Sequence, residues 1–257
     1  IKTIFIIAFL VLDIFLLFLL REKQVSENLP FVDEASFEDK LKAAEIVVEN
    51  PPTNVEKNQF LINATSKVFS KEELELLSQN GRQVPFEEGI KVIFDKPIPI
   101  DFEVTQENMA PILESTVLYG DQYRFWSFNE ERLTIEYYQT YKEYTLYNNQ
   151  SGKITFQLNE NNEIMSYTQT MFDKFQESGE QEILELMEAL ETLYSSNKLQ
   201  QGDTVNKVEL GYYPLVELSS QVLFPTWYFQ VNNEDNYFVN AINGTMIEMD
   251  DQNTATE

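Results

Sequence analysis

Carboxylates and tyrosines are the residues of this sequence that could do chemistry, because its 257 residues include no histidine and no cysteine. A thiol nucleophile, a Ser-His triad and an ordinary zinc site are thereby excluded. A pair of carboxylates acting as acid and base stays possible, as does a calcium site built from oxygen ligands. The absence of cysteine also excludes disulfides, so an apolar core must hold the folded part together.

Acidic clusters occur throughout the chain, for example at Glu87-Glu88 and at Asp101 with Glu103. None follows the EF-hand loop pattern. In a chain with 43 acidic and 18 basic residues, neighbouring carboxylates arise by chance and are most simply solvated faces and turns. The formal charge of -25 repels phosphate backbones, so we expect no nucleic-acid binding.

Five tyrosines follow one another closely in a single segment, at Tyr137, Tyr138, Tyr141, Tyr144 and Tyr147. Such a series could line a groove for a carbohydrate or a peptide. The alternative is that these residues are strand formers with one side of the strand in the core. The sequence leaves both interpretations open.

The elements that must position these side chains begin with an apolar run at the start of the chain, IFIIAFLVLDIFLLFLL, from Ile4 to Leu20. At about 1.5 Å per residue, such a helix roughly matches a bilayer core of about 30 Å. The run lacks the polar stripe of a core helix. A cleaved signal peptide is the stronger alternative, but the following REKQVSENLP contains no small-x-small cleavage site. We therefore predict an uncleaved transmembrane anchor at residues 1–21.

Asp13 lies in the middle of this run. An ionised carboxylate costs about 2.5 to 3.5 kcal/mol there, so we expect Asp13 to be protonated or paired. One interpretation is that a very apolar helix tolerates a single polar residue. The other is that Asp13 bonds to a polar group on a neighbouring helix. On the second interpretation, the predicted transmembrane partner contact consists of Asp13 with Phe9, Leu12 and Leu16.

The remainder of the chain has the mixed helix and strand signals of an α+β fold. Residues 22–55 are polar and contain one predicted helix between Ser36 and Val48, capped at Ser36, which is typical of a juxtamembrane stalk. Helical apolar spacing recurs from Asn108 to Leu118 and in EQEILELMEALETLY from Glu180, each time before strand-like alternation with Asn-rich turns. This repeated pattern predicts two similar lobes of antiparallel sheet with a few helices, at residues 56–175 and 176–257.

Segments at both ends of the chain resemble the YycI regulatory proteins of low-GC Gram-positive bacteria and their relative YycH. These segments are KTIFIIAFLVLDIFLL near the start and MEALETLY, LQQGDTV, LGYY, FPTW and YFVNAINGTMIE in the last third. The resemblance implies a single-pass protein of the cell membrane with the bulk of the chain extracytoplasmic. It also implies an accessory regulator of the WalK/WalR two-component system of cell-wall homeostasis, acting with YycH on the sensor histidine kinase WalK. Because the family carries no catalytic residues, the resemblance further implies no enzymatic activity, no cofactor and no metal site, which fits a chain without histidine and cysteine.

Two other classes of function stay open at this point. The first is an extracytoplasmic module that binds cell-wall glycans, or a hydrolase of such glycans that uses carboxylates. The second is a chaperone or protease inhibitor, because YFVNAINGTMIE also resembles strands of peptidase-propeptide modules of the PepSY type. Exposed sheet edges of such a module can pair with an extended segment.

Overall fold

The computed structural model describes residues 36–77, 81–214 and 220–248. The chain divides into two compact units, residues 1–43 and residues 44–257. The predicted anchor at residues 1–21 lies outside the described residues, as do Asp13, Phe9, Leu12 and Leu16 of the predicted partner contact. In the part of the chain that is described, no helix combines the length and the apolar character needed to cross a bilayer.

The described part of the first unit is one helix, α1 (Phe37–Ala43). Ser36 caps it, because the Ser36 hydroxyl accepts a hydrogen bond from the Asp39 amide at 3.3 Å and donates to the Asp39 carboxylate at 3.0 Å. This confirms the capped helix predicted from Ser36. The apolar pattern up to Val48 does not continue the helix, since Val47 and Val48 pair with a distant strand instead.

The described residues of the second unit form three further helices, α2 (Lys71–Leu77), α3 (Gln106–Thr116) and α4 (Leu186–Ser195), and a 3-10 turn at Gly120–Gln122. Its strands are β1 (Val47–Val48), β2 (Asn58–Ser66), β3 (Gly81–Phe86), β4 (Gly89–Pro99), β5 (Tyr123–Asn129), β6 (Thr134–Tyr141), β7 (Tyr144–Thr145), β8 (Lys153–Leu158), β9 (Glu163–Thr170), β10 (Phe172–Glu182), β11 (Thr204–Pro214), β12 (Ser220–Val231), β13 (Asp235–Asn240) and β14 (Met246–Ile247). The described residues therefore form a mixed α+β fold of mostly antiparallel sheet, as predicted.

Seven strands make up the sheet that we call sheet I, in the order β3-β4-β9-β8-β6-β5, with β7 added to β6. All of its pairings are antiparallel. The predicted Asn-rich turn joins β8 to β9, where the Asn159 side chain accepts hydrogen bonds from the amides of Asn161 and Glu163. Asn162 follows in the left-handed conformation with φ of 57°. Asparagine tolerates that conformation, which explains the turn at this point.

Seven other strands form sheet II, in the order β1-β11-β12-β13-β14, with β2 between β10 and the first half of β12. Only the β1–β11 pair is parallel among these strands. Strand β2 comes from the predicted first lobe, yet it pairs with β12 of the C-terminal meander. The predicted division at residue 175 stays a prediction.

Helix α3 supplies part of the core of sheet I. Met109 and Leu113 of this helix are buried, in one cluster with the sheet residues Tyr137, Phe156 and Tyr167. Thr105 begins the helix, because its hydroxyl accepts a hydrogen bond from the Asn108 amide at 3.2 Å. An N-terminal cap of this kind satisfies a backbone donor that the helix itself leaves unpaired.

Helix α4 lies against sheet II at β13 and buries Ala189, Leu190 and Leu193. The sequence predicts this helix from Glu180, but it begins at Leu186, where a capping box joins Glu185 and Glu188. Residues 180–182 instead belong to β10 and pair with β2. The predicted start is therefore wrong by about two turns, because strand pairing across the sheet outweighs local helical spacing.

An aromatic cluster and a buried amide join the two sheets. The ring of Trp126, on β5 of sheet I, lies 5.2 Å from Tyr228 and 6.3 Å from Phe238 of sheet II. The fully buried Gln139 side chain donates to the Phe172 carbonyl at 2.9 Å and accepts from the Phe172 amide at 2.8 Å. These contacts hold β6 and its following turn against sheet II, which positions the site described next.

Candidate functional site

The outer edge of β11, on the side away from β12, is paired at both ends and, among the described residues, unpaired between them. At the start of the strand, Val48 of β1 pairs in parallel with Val205, and near its end Leu146 forms a parallel bridge to Tyr212. Between these two points, residues 207–211 pair with β12 on the inner side, and Asn206 lies in a bulge. On the outer side no described strand pairs with residues 206–211, although β7 packs against β11 near Gly211. The edge thus carries an open interval about six residues long.

The chain itself explains why this interval is open. After Glu49, whose amide donates to the Val205 carbonyl at 2.9 Å, Asn50 adopts a left-handed conformation with φ of 44°. Pro51 and Pro52 follow, and a proline cannot donate to a strand ladder. The chain therefore leaves the β11 edge just after β1 has paired with it.

A cavity of about 550 Å³ lies along this interval, and we call it the β11 cleft. Its lining comes from the loop before β2, from β2, from the turn between β6 and β7, from β10 and from β11. Aromatic rings form one wall, with Tyr144 and Tyr212 in an edge-to-face contact at 5.7 Å. Phe60 of β2 also lines the cleft and is 38% exposed.

A buried amide fixes the two tyrosines of this wall. The Gln59 side chain donates to the Tyr144 hydroxyl at 3.4 Å, and the Tyr212 hydroxyl donates to the Gln59 carbonyl oxygen at 3.4 Å. Burial raises the pKa of Tyr212, so its hydroxyl keeps its proton. Each ring is therefore held in place by a hydrogen bond as well as by packing.

The β6–β7 turn carries the cleft's first charged group. Lys142 is hydrogen-bonded to the Glu177 carboxylate, and the Tyr141 hydroxyl donates to the same carboxylate at 3.3 Å. The hydrogen bond from Lys142 lowers the pKa of Glu177 and raises the pKa of Lys142. Burial, with the Glu177 charge, raises the pKa of Tyr141. All three groups therefore keep their usual charge states at neutral pH.

Arg124 anchors the same turn from β5. Its guanidinium donates to the Thr145 hydroxyl and to the Glu143 carbonyl, both at 3.1 Å. It also lies 3.8 Å from the Glu209 carboxylate, which accepts a hydrogen bond from the Tyr147 hydroxyl at 3.0 Å. The guanidinium thus ties the turn to β11 at the mouth of the cleft.

Two carboxylates of the cleft lining have no described cation paired with them to balance their negative charge. Glu56 and Glu143 form no ion pair with any residue that the structure describes. In total, four carboxylates and two cations line the cleft, and both cations are engaged by Glu177 and Glu209. The cleft therefore has a net negative lining. Across the described ranges, no three carboxylates converge closely enough to hold a metal ion.

Of the five tyrosines between residues 137 and 147, some lie in the core and others line a cleft, which are the two roles that the sequence left open. Tyr137, Tyr138 and Tyr147 are buried in the core, whereas Tyr141 and Tyr144 are partly exposed and line the β11 cleft. Arg124, Gln59 and Tyr212 were not predicted as site residues. Their positions are far apart in the sequence, and no local pattern brings them together.

Solved structures show partial similarity to the chain. An uncharacterized protein from Eubacterium rectale matches with 9% identity and a TM-score of 0.49, over 80% of this chain and 91% of that one. The C-terminal domain of YpeB from Bacillus megaterium has 12% identity and a TM-score of 0.42, over 62% and 69%. YycH from Bacillus subtilis has 18% identity and a TM-score of 0.38, over 61% of this chain and 40% of YycH.

The sequence itself matches one protein family. The profile described as YycI protein matches residues 26–242. No curated protein matches the chain. The matched range includes α1, both sheets up to the end of β13, and every residue of the β11 cleft.

Proposed function

The chain belongs to the YycI family, and from this premise we propose that it is a membrane-anchored accessory regulator of the sensor histidine kinase WalK, acting together with YycH. The observation that carries the proposal is the family match over residues 26–242, which is most of the chain. Contacts would be made by the transmembrane helix and by the extracytoplasmic part. Each contact biases the kinase only by the difference in binding to its signalling states.

We further propose that the protein sits in the cell membrane as a single-pass protein with most of its chain extracytoplasmic. The apolar run from Ile4 to Leu20 supports this location, since its length suits a bilayer core. The role of Asp13, with Phe9, Leu12 and Leu16, as a helix contact is part of the same proposal. A polar group within a span favours association with a partner that can bond to it.

The proposed role is non-enzymatic, and the electrostatics of the described residues support it. A general acid at neutral pH needs a carboxyl whose pKa is raised. Where the surroundings displace the pKa of a carboxyl here, at Glu73, Glu177 and Glu185, the pKa is lowered. These carboxylates are ion-paired and suit contacts better than proton transfer.

Crosslinking in intact cells, followed by mass spectrometry, tests the proposed partners. We expect the full chain to capture WalK and YycH. Capture of wall polymer without either protein would contradict the proposal and favour the second candidate, a glycan-binding module. The partly exposed Tyr141 and Tyr144 in the β11 cleft are the observation that keeps that second candidate in view.

Substitution within the apolar run tests the proposed helix contact. We expect Asp13→Leu to weaken helix association in a membrane and to reduce the effect on WalR-dependent transcription. Val11→Leu is the matched control, because residue 11 lies on the opposite side of a helix from residue 13. Unchanged association with Asp13→Leu would remove Asp13 from the contact. Deletion of residues 1–20 should abolish regulation altogether, and regulation by the deleted chain would contradict the anchored mechanism.

A further inference from the structure

The open interval of the β11 edge has the geometry of a strand-binding slot. At about 3.3 Å per residue, residues 206–211 span about 20 Å. That length accommodates four to five residues of an extended chain between β1 and the Leu146 bridge. A sheet edge presents unpaired N–H and C=O groups that another strand can satisfy.

The hydrogen bonds at the two ends show which backbone groups point outward. The Val205 carbonyl accepts from Glu49, and the Tyr212 carbonyl accepts from the Tyr147 amide at 2.8 Å. A bulge between Val205 and Lys207 shifts the alternation by one residue. Every second residue of a strand directs its N–H and C=O groups to the same side. The outward backbone groups of the interval therefore belong to Leu210 and Val208, two and four residues before Tyr212. No described residue pairs with them on that side.

The side chains around the slot define what would fit there. Val208 and Leu210 are 6% and 8% exposed, and by strand alternation they share one face of β11 with Tyr212, whose ring belongs to the aromatic wall of the cleft. An occupant therefore places apolar side chains toward this wall. Glu56 and Glu143 are the carboxylates of the lining without an ion pair in the described ranges, so a cationic side chain suits the mouth of the slot.

We propose that the β11 cleft binds an extended, basic segment of a partner protein, which adds to sheet II as a strand parallel to β11. The parallel direction follows from β1 and Leu146, the two neighbours on that edge, which both run parallel to β11. Backbone hydrogen bonds supply affinity and alternate side chains supply selectivity in this mode of recognition. The inference deepens the proposed function by assigning a contact surface, and it stands or falls independently of which partner is bound.

Peptide binding to the purified full chain in detergent tests the proposal. The probe is the five-residue peptide Lys-Val-Lys-Val-Lys-amide with a fluorescein label, measured by fluorescence anisotropy at low ionic strength. One control peptide replaces each Lys with Glu. Another is N-methylated at alternate residues, which removes backbone donors along one edge and leaves charge and side chains unchanged. We expect the basic peptide to bind and each control to bind at least about tenfold more weakly, since two hydrogen bonds or several charge contacts are lost.

Variants of the protein place the binding in the slot. Val208→Pro removes an outward N–H and blocks the edge, and we expect it to abolish binding. Because proline can disturb folding, Glu143→Lys serves as a milder second variant on an exposed side chain, with binding expected to weaken several-fold. Lys91→Glu, an exposed charge change on β4 of sheet I, is the control that should leave binding unchanged.

Several results would overturn the proposal. These are no binding at millimolar peptide, equal binding of the N-methylated or acidic peptide, and full binding by both slot variants. Binding of an N-acetylglucosamine oligomer in competition with the peptide would assign the cleft to glycans instead. If the slot variants lose peptide binding and yet regulate WalK normally in cells, the slot is not the regulatory contact, while the proposed function itself survives.

Discussion

Glu73 is the carboxylate with the largest described displacement of its pKa, and it predicts how stability depends on pH. It lies in the first turn of α2, where it accepts hydrogen bonds from the Ser70 amide at 2.7 Å and from the Tyr119 hydroxyl at 2.6 Å. Lys67 lies 2.9 Å away, and the two side chains are only 14% and 16% exposed. Burial by itself raises the pKa of Glu73, but these three donors together lower it to about 2.

The lowered pKa sets both the sign and the size of the effect. A folded-state pKa below the ordinary value of 4.5 means that the ionised carboxylate stabilises the fold above about pH 4.5. The contribution disappears as the pH falls toward 2. The change in pKa from 4.5 to about 2 corresponds to at most about 3 to 4 kcal/mol. Glu73→Gln keeps an acceptor for the cap and for Tyr119 but loses the ion pair with Lys67, so we expect a loss of about 2 kcal/mol at pH 7.

Urea denaturation of the full chain, followed by tryptophan fluorescence at a series of pH values, measures this free energy. The difference between the native sequence and Glu73→Gln should be constant from pH 7 to pH 5 and should shrink toward zero near pH 2. Glu72→Gln is the matched control, since Glu72 is exposed in the same helical turn and should change stability by no more than about 0.5 kcal/mol. A difference in the free energy of unfolding that stays constant down to pH 2 would show that the ionised form of Glu73 is not what stabilises the fold.

Three further substitutions test buried contacts of the second unit, each by urea denaturation. Gly211→Ala would place its Cβ against the Tyr147 ring and the Thr145 carbonyl, so we expect a loss of about 1–3 kcal/mol, and no loss would contradict this contact. Gln139→Leu leaves the amide and carbonyl of Phe172 unpaired and should cost at least about 2 kcal/mol; an isostable variant would show that water replaces the side chain. Trp227→Phe removes the 2.9 Å hydrogen bond to the Leu184 carbonyl, with an expected loss of about 1–3 kcal/mol that Trp227→Tyr would not restore.

The elements that the sequence predicts well are those specified by neighbouring residues. The Ser36 cap and the Asn159–Asn162 turn depend on side chains that bond within four residues of themselves. Val47–Val48 and residues 180–182 were predicted as helical, but they pair with β11 and β2, more than a hundred residues away. Sequence distance also explains the β11 cleft. Its tyrosines were visible as a series, whereas Gln59, Arg124 and the open edge result from topology.

Four groups of the β11 cleft, Tyr141, Lys142, Glu177 and Tyr212, keep their charge states across the neutral range, and this bears on what the cleft can do. Every pKa that the surroundings displace among the described residues moves away from neutrality: Glu177 is lowered by Lys142, Lys142 is raised by Glu177, and Tyr141 and Tyr212 are raised by burial. With no histidine in the chain, nothing with an ordinary pKa near 6.5 is present to switch these charges. A cleft of constant charge suits a binding surface whose occupancy follows the concentration of its partner rather than pH. Acid-base catalysis at neutral pH would instead need a group that gains and loses a proton near the working pH.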